Sequence, residues 1–312
     1  MRGSGMSGER RILGLWLPAL AADGALLRRP ALHGRPLAVV RTAARGPTVV
    51  AVDPEAAAAG IAPGLTLAAA RALLPGLAAV PAEPEADARL LERLADWSQR
   101  YTPWVAIEGG DGLTLDLTGC AHLFGGESAL VADLRARLTR AGLRGRAAVA
   151  GTPALAWGLS RFGGDSAAVV PASGGRAALA VLPVAALRLE PALVAALARV
   201  GVRRVGELYP LPRAGLADRF GAAVVRRLDQ ALGRLDEPVS PRRPVAAHLV
   251  RLAFAEPVSQ RETLERAAEQ LLGRLCAGLE QAGQGVRRLE LSCFRADPPG
   301  GRASEAPARC LE

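Results

Sequence analysis

Two alternating runs separated by a glycine-rich turn constrain this chain most. Trp104-Val105-Ala106-Ile107-Glu108 and Leu113-Thr114-Leu115-Asp116-Leu117 flank Gly109-Gly110-Asp111-Gly112. Apolar alternation at a period of two, closed by turn residues, demands an antiparallel hairpin. Leu113, Leu115 and Leu117 then share one face, while Thr114 and Asp116 share the other. A hairpin of this kind has to bury its leucine face against further elements.

The flanking sequence supplies them. Ile12-Leu13-Gly14-Leu15-Trp16-Leu17 reads as a buried strand that Pro18 ends. A helix is expected over 127–140, where Leu130, Leu134 and Leu138 recur at four-residue spacing, then a strand at Ala147–Ala150 and a helix over 153–162. Strand, helix, paired strands, helix, strand is the order of a split βαβ, ferredoxin-like sheet. An insertion lies between its first strand and the hairpin. It holds a helical stretch, short strands at Pro36–Val40 and Thr48–Val52, alanine-rich helix over 54–74 broken by Gly60 and Pro63-Gly64, and a charged amphipathic helix over 83–100.

Residues 164–176, rich in Gly, Ser and Ala, read as a linker or irregular crossing, and 183–236 as short helices. Prolines make 237–244 an extended linker. A final module is expected to hold a strand at Leu249–Phe254 and a capping box at Ser259-Gln260-Arg261-Glu262. The box opens a long helix with Leu264, Ala268, Leu271, Leu275 and Leu279 on one face. An alternating strand at Val286–Phe294 and a loop-like tail from Asp297 complete it. The fold class is α+β.

Charge points towards polyanions. The 312 residues carry 39 basic and 30 acidic side chains, a formal +9. Every basic residue is Arg, and Lys and Asn are absent, so part of that surplus reflects a GC-rich genome. No apolar run reaches the length of a membrane span and MRGSGMSGERR lacks a signal core, so a cytoplasmic protein without membrane contact is expected. Cys120, Cys276, Cys293 and Cys310 stand far apart, and His33, His122 and His248 do not join them. Free, mostly buried thiols are expected rather than a zinc site.

Five segments in order carry a resemblance. They are Arg29–Val39, Ala59–Leu65, Gln99-Arg100-Tyr101-Thr102-Pro103, Leu115–Gly119 and Ala148–Pro153. Together they resemble the Y-family translesion DNA polymerases, the DinB/UmuC group. The resemblance implies a disordered N-terminus over 1–10, palm and fingers (UmuC-like) over 11–182, a helical thumb over 183–240 with a degenerate helix-hairpin-helix, and a little-finger domain over 241–312. That last domain reads as half-length and truncated.

The departures decide the implied function. The family holds two metal ions, about 3.5–4 Å apart, on carboxylates. Those positions fall here at Trp16, Asp111 and Gly112, and a further aspartate of the first motif falls at Pro18. The Tyr, Arg and Lys that grip the triphosphate fall at Pro54, Ala57 and Trp157. No cofactor and no metal are therefore expected. Trp16 and Trp157 read as core packing, the alternative being indoles that fill the vacated pocket or offer a stacking surface; Asp111 reads as a turn former, the alternative being a relic metal ligand, and Asp116 as a strand-surface hydrogen-bond partner.

This pattern resembles the ImuB-type branch, regarded as catalytically inactive. It implies a DNA-binding scaffold in DNA repair, translesion synthesis and SOS mutagenesis. Its implied partners are primer-template DNA, the sliding clamp, an ImuA-like RecA-related protein and an error-prone C-family polymerase. Arg203, Arg204, Arg251, Arg287 and Arg288 are the candidate phosphate contacts. The rival readings are an adaptor that does not touch DNA, an active polymerase with atypical ligands drawn from Glu108, Asp111 and Asp116, and a non-functional fragment.

Overall fold

The computed structural model describes residues 10–44, 46–164 and 169–240, then 250–254, 258, 260–281, 283, 285–286, 289, 291–293 and 309–311. Two compact units divide the chain, Met1–Arg242 and Arg243–Glu312.

The first unit runs β1 (Ile12–Trp16), α1 (Leu20–Arg28), β2 (Leu37–Ala43), β3 (Gly46–Val52), α2 (Pro54–Ala58), α3 (Leu67–Leu73), β4 (Ala78–Pro81) and α4 (Pro84–Ser98). Then follow β5 (Val105–Glu108), β6 (Gly112–Asp116), α5 (Glu127–Arg140), β7 (Arg146–Ala150) and α6 (Pro153–Phe162). Short helices α7 (Gly175–Ala180), α8 (Pro191–Arg199), α9 (Arg213–Phe220) and α10 (Ala222–Ala231) close it. The main sheet has the order β5-β6-β1-β7, every neighbour antiparallel, as a ferredoxin-like sheet requires.

The period of two sorts the residues. Leu13, Leu15 and Leu17 join Leu113, Leu115, Leu117 and Val149 on one face, beneath Leu91 and Leu94 of α4 and Leu130, Leu134 and Leu138 of α5. Each leucine fully withdrawn from water contributes about 1.5–3 kcal/mol, so this layer fixes the register. On the other face Ile12, Ala148 and Ala150 meet Ala154, Leu155, Ala156 and Leu159 of α6, and the same core continues into α8, α9 and α10. Gly14 sets that distance: a Cβ there would lie 2.7 Å from the Ala156 carbonyl oxygen. Thr152 caps α6, accepting from the Leu155 N–H at 3.2 Å, and Pro153 occupies its first position.

A carboxylate ties α1 to the loop before β7. Asp23 is buried and accepts from the Arg144 backbone N–H at 2.8 Å and Nε at 2.7 Å, with Nη2 also in contact. Burial pushes the Asp23 carboxyl up, and the Arg144 hydrogen bonds oppose that.

The insertion forms a second sheet, β3-β2-β4, with β2 antiparallel to β3 and parallel to β4. The sequence reading missed β4, because Ala78-Ala79-Val80-Pro81 has little strand propensity of its own. Its ladder to β2 supplies the order. The expected crossing at 164–176 ends in helix from Gly175, and Val169 bridges to Val149. Residues 165–168 lie outside the described set.

In the second unit α11 (Arg261–Gln281) buries Ala267 and Leu279, while Leu264 of the expected face is exposed. Residues 250–254 carry no strand, contrary to expectation. The expected strand at Val286–Phe294 contracts to β8 (Leu291–Cys293). Its antiparallel partner is β9 (Arg309–Leu311), in the tail expected to be loop. A strand needs a partner, and the tail provides it. Cys276 and Cys293 are exposed and Cys120 half-buried, which corrects the expectation of mostly buried thiols. Leu249, Ser259, Arg287, Arg288, Phe294 and His248 lie outside the described residues, as do the side chain of Cys310 and the second half of the expected linker, 241–244.

Candidate functional site

The end of β1, the β5–β6 turn and one face of α6 meet at a cluster built on Asp111. Antiparallel register sets Trp16 opposite Gly112 on one side and Arg146 on the other. The Leu17 N–H donates to the Asp111 carbonyl oxygen at 2.8 Å and holds the turn against β1. By alternation, Trp16 shares the face of Ile12 and Gly14, which α6 covers.

Both carboxylate oxygens of Asp111 are taken. Trp16 Nε1 donates to Oδ2 at 2.8 Å, and Arg161 Nη2 donates to Oδ1 at 2.8 Å. The Arg161 guanidinium lies 4.2 Å from the Trp157 ring centroid and 5.7 Å from that of Trp16. Arg146 stands 5.7 Å from the Trp16 ring. The Arg161 side chain is only 10% exposed. Burial lowers its pKa from the ordinary guanidinium value, and the Asp111 charge opposes that shift.

A second arginine extends the network. Arg188 donates to Glu108 at 2.9 Å and to Glu237 at 2.8 Å, and lies 5.5 Å from the Trp157 ring. Glu237 also pairs with Arg227 at 3.4 Å. Arg188 adopts φ 56°, the left-handed region that disfavours a side chain. Arg10 binds Asp236 at 3.0 Å, the Glu237 carbonyl at 3.2 Å and Asp116 at 3.4 Å. Asp236 and Glu237, at the start of the expected linker, are thus tied through Arg10 and Arg188 to the hairpin.

Trp16 and Trp157 are half-buried and both lie against the Arg161 guanidinium. Asp111 does sit in the turn, yet its carboxylate serves Trp16 and Arg161 rather than the turn alone. Gly112 has no room: a Cβ would lie 2.8 Å from the Leu15 carbonyl oxygen and 3.1 Å from Arg161 Nη2. Pro54 and Ala57 lie exposed on α2, and Pro18 is exposed beyond β1. As proline, alanine and proline side chains, the three offer no cation or hydroxyl to a phosphate.

Of the arginines singled out for phosphate, Arg287 and Arg288 lie outside the described residues. Arg203 and Arg204 are exposed beside the short turn Val205–Leu208. Their backbone N–H groups donate to Glu207 Oε2 at 2.6 and 3.0 Å. Those two bonds hold the Glu207 carboxyl below its usual range. An internal carboxylate therefore takes the donors that a helix-hairpin-helix turn would offer to phosphate. Arg251 is exposed in the strandless segment 250–254.

Sequence reasoning missed Arg161, Arg188, Glu207 and Glu237. One signal was present: Trp157 and Arg161 are four apart on α6, hence on one face.

The impB/mucB/samB family model matches residues 15–161, which contain the end of β1, the hairpin and nearly all of α6. Protein ImuB of Caulobacter vibrioides is 50% identical over 244 residues, 78% of this chain and 52% of that protein. The chain belongs to the ImuB-type, Y-family polymerase-like proteins. DNA polymerase IV of Gluconobacter oxydans is 32% identical over 219 residues, covering 69% of this chain and 61% of that one. DinB of Sulfolobus solfataricus shares the fold, with a TM-score of 0.61 at 17% identity over 74% of this chain and 69% of its own. The chain spans about half the length of the ImuB relative.

Membership implies a metal pair, and the residues present do not fit one. Each carboxylate oxygen of Asp111 already accepts a hydrogen bond, one of them from a guanidinium, and Gly112 cannot carry a side chain. Among the described residues, no three His, Cys, Asp or Glu side chains converge to hold an ion. Nor, among them, is any helix long and apolar enough to cross a membrane.

Proposed function

We propose that this chain is a non-catalytic, polymerase-like scaffold acting in DNA repair and translesion synthesis. Phosphoryl transfer needs cations that neutralise charge on the reacting phosphate and are held by carboxylates. The observation that carries the reading is that Asp111, the one acid left at the family's metal positions, pairs with Trp16 and Arg161. With the site filled by its own indoles and guanidinium, the fold is left to position DNA and partners. Primer-template DNA, a sliding clamp, an ImuA-like protein and an error-prone C-family polymerase are the partners this reading assigns.

Primer extension with purified protein, Mg²⁺ or Mn²⁺ and all four nucleotides tests it, and no product is expected. Robust extension that persists in Asp111→Ala sinks the scaffold reading if the activity co-purifies with the protein through every step.

One observation favours a second reading, an adaptor that does not bind DNA. Glu207 already caps the Arg203 and Arg204 N–H groups. Glu207→Gln weakens that cap, so a gain in DNA affinity in this variant would support the adaptor reading for the native chain.

A further inference from the structure

The geometry points to Arg161 as the resident cation of this site: its guanidinium takes the counter-charge position beside Asp111, and this group, not the shortage of carboxylates alone, keeps divalent metal out. The inference rests on the non-catalytic reading and deepens it.

A divalent ion and a guanidinium compete for the same carboxylate oxygens, and their like charges exclude joint occupancy. Arg161 holds its place by several contacts at once. It donates to Asp111 at 2.8 Å, faces the Trp157 ring at 4.2 Å and stands 5.7 Å from the Trp16 ring. Burial to 10% exposure gives it little freedom to swing into water. It is also one of the atoms that a side chain at position 112 would strike.

The surroundings leave no surplus negative charge. Arg188 occupies Glu108 and Glu237, the other carboxylates in the network. A Trp16→Asp substitution therefore gives Arg161 a second acid to pair with instead of opening a metal site. The rings favour the guanidinium further, since a planar, weakly hydrated cation packs against an indole more readily than a hydrated divalent ion does.

The test measures Tb³⁺ luminescence sensitised by the indole of Trp157, with Mn²⁺ paramagnetic resonance as an independent readout. Wild type and Trp16→Asp are expected to stay dark. Trp16→Asp/Arg161→Ala, which leaves two carboxylates at the site without the Arg161 guanidinium, is expected to bind at least about tenfold more tightly. Trp16→Asp/Arg161→Lys keeps the charge and should stay dark. A Trp157→Phe change in the binding variant should abolish the sensitised signal but keep the Mn²⁺ response.

Should the double variant fail to fold, Arg161→Gln alone retains an amide donor for Asp111 and should raise Tb³⁺ affinity about threefold. Equal binding by Trp16→Asp and by the double variant overturns the inference. So does silence of a folded double variant, or of Arg161→Gln in its stead; both outcomes leave the non-catalytic reading standing. Binding by the wild type overturns that reading first, and the inference with it.

Discussion

At the scale of the residue, charge state and partner decide what each acid does. Asp111 looked like a turn former because Gly-Gly-Asp-Gly needs one. The structure adds an indole N–H and a guanidinium from elements far away in sequence. Asp111→Ala should cost about 1–2 kcal/mol in urea unfolding, since Arg161 is left with a buried, unpaired charge while the lost carboxylate was half-exposed. A smaller loss would mean that the two rings alone hold the guanidinium. Glu207 supplies the pH dependence. Its pKa is lowered in the fold by the Arg203 and Arg204 N–H groups. Its contribution is therefore present above the unfolded value of 4.5 and disappears as pH falls through the lower folded value. The amide resonances of Arg203 and Arg204 should move together over that acid range, and Glu207→Gln should abolish the titration.

At the scale of the element, alternation and four-residue spacing were enough. The hairpin, β1, α5, β7 and α6 were readable because each buries a regular apolar face, and the leucines that set the pattern are the ones packed in the core. Elements without such a face were not readable. β4 is an alanine-rich run that exists through its ladder to β2, and β9 through its pairing with β8. The expected strand at Leu249–Phe254 fails within 250–254 although its residues alternate, since propensity without a ladder partner does not make a strand. Gly14 shows how an element's position rests on one residue. Gly14→Ala should drive β1 from α6 and cost about 1–3 kcal/mol or more in unfolding experiments. Unchanged stability would show that α6 can retreat, and the Trp157 and Arg161 positions should then shift in a crystal structure.

At the scale of the molecule, ion pairs bolt the segment after α10 to the hairpin. Arg188 joins Glu108 to Glu237, and Arg10 joins Asp116 to Asp236. Arg188→Gln takes the guanidinium from Glu108 and leaves Glu237 to Arg227, and should lower stability by about 1–2 kcal/mol at low salt, allowing for their partial exposure. The loss should shrink as salt rises, because screening weakens the native pairs too. A salt-independent loss in thermal melts would point to packing instead. Binding to a labelled primer-template is the matching functional measurement. Contacts with about four to six phosphates give a log–log salt slope of roughly −3 to −5. A flat response would move the weight to the adaptor reading.

The sequence by itself determined the ferredoxin-like sheet, its leucine core and the absence of the family's acids at Trp16 and Gly112. Those features follow from local periodicity and from residues replaced in place. Only the tertiary structure decided what fills the space they vacate. Arg161 and Arg188 are two of many arginines with no distinguishing spacing from Asp111, Glu108 or Glu237. Their meaning depends on β1, the hairpin and α6 converging within hydrogen-bond reach. Side-chain electrostatics act over a few ångströms in space, and distance along the chain carries no record of that proximity.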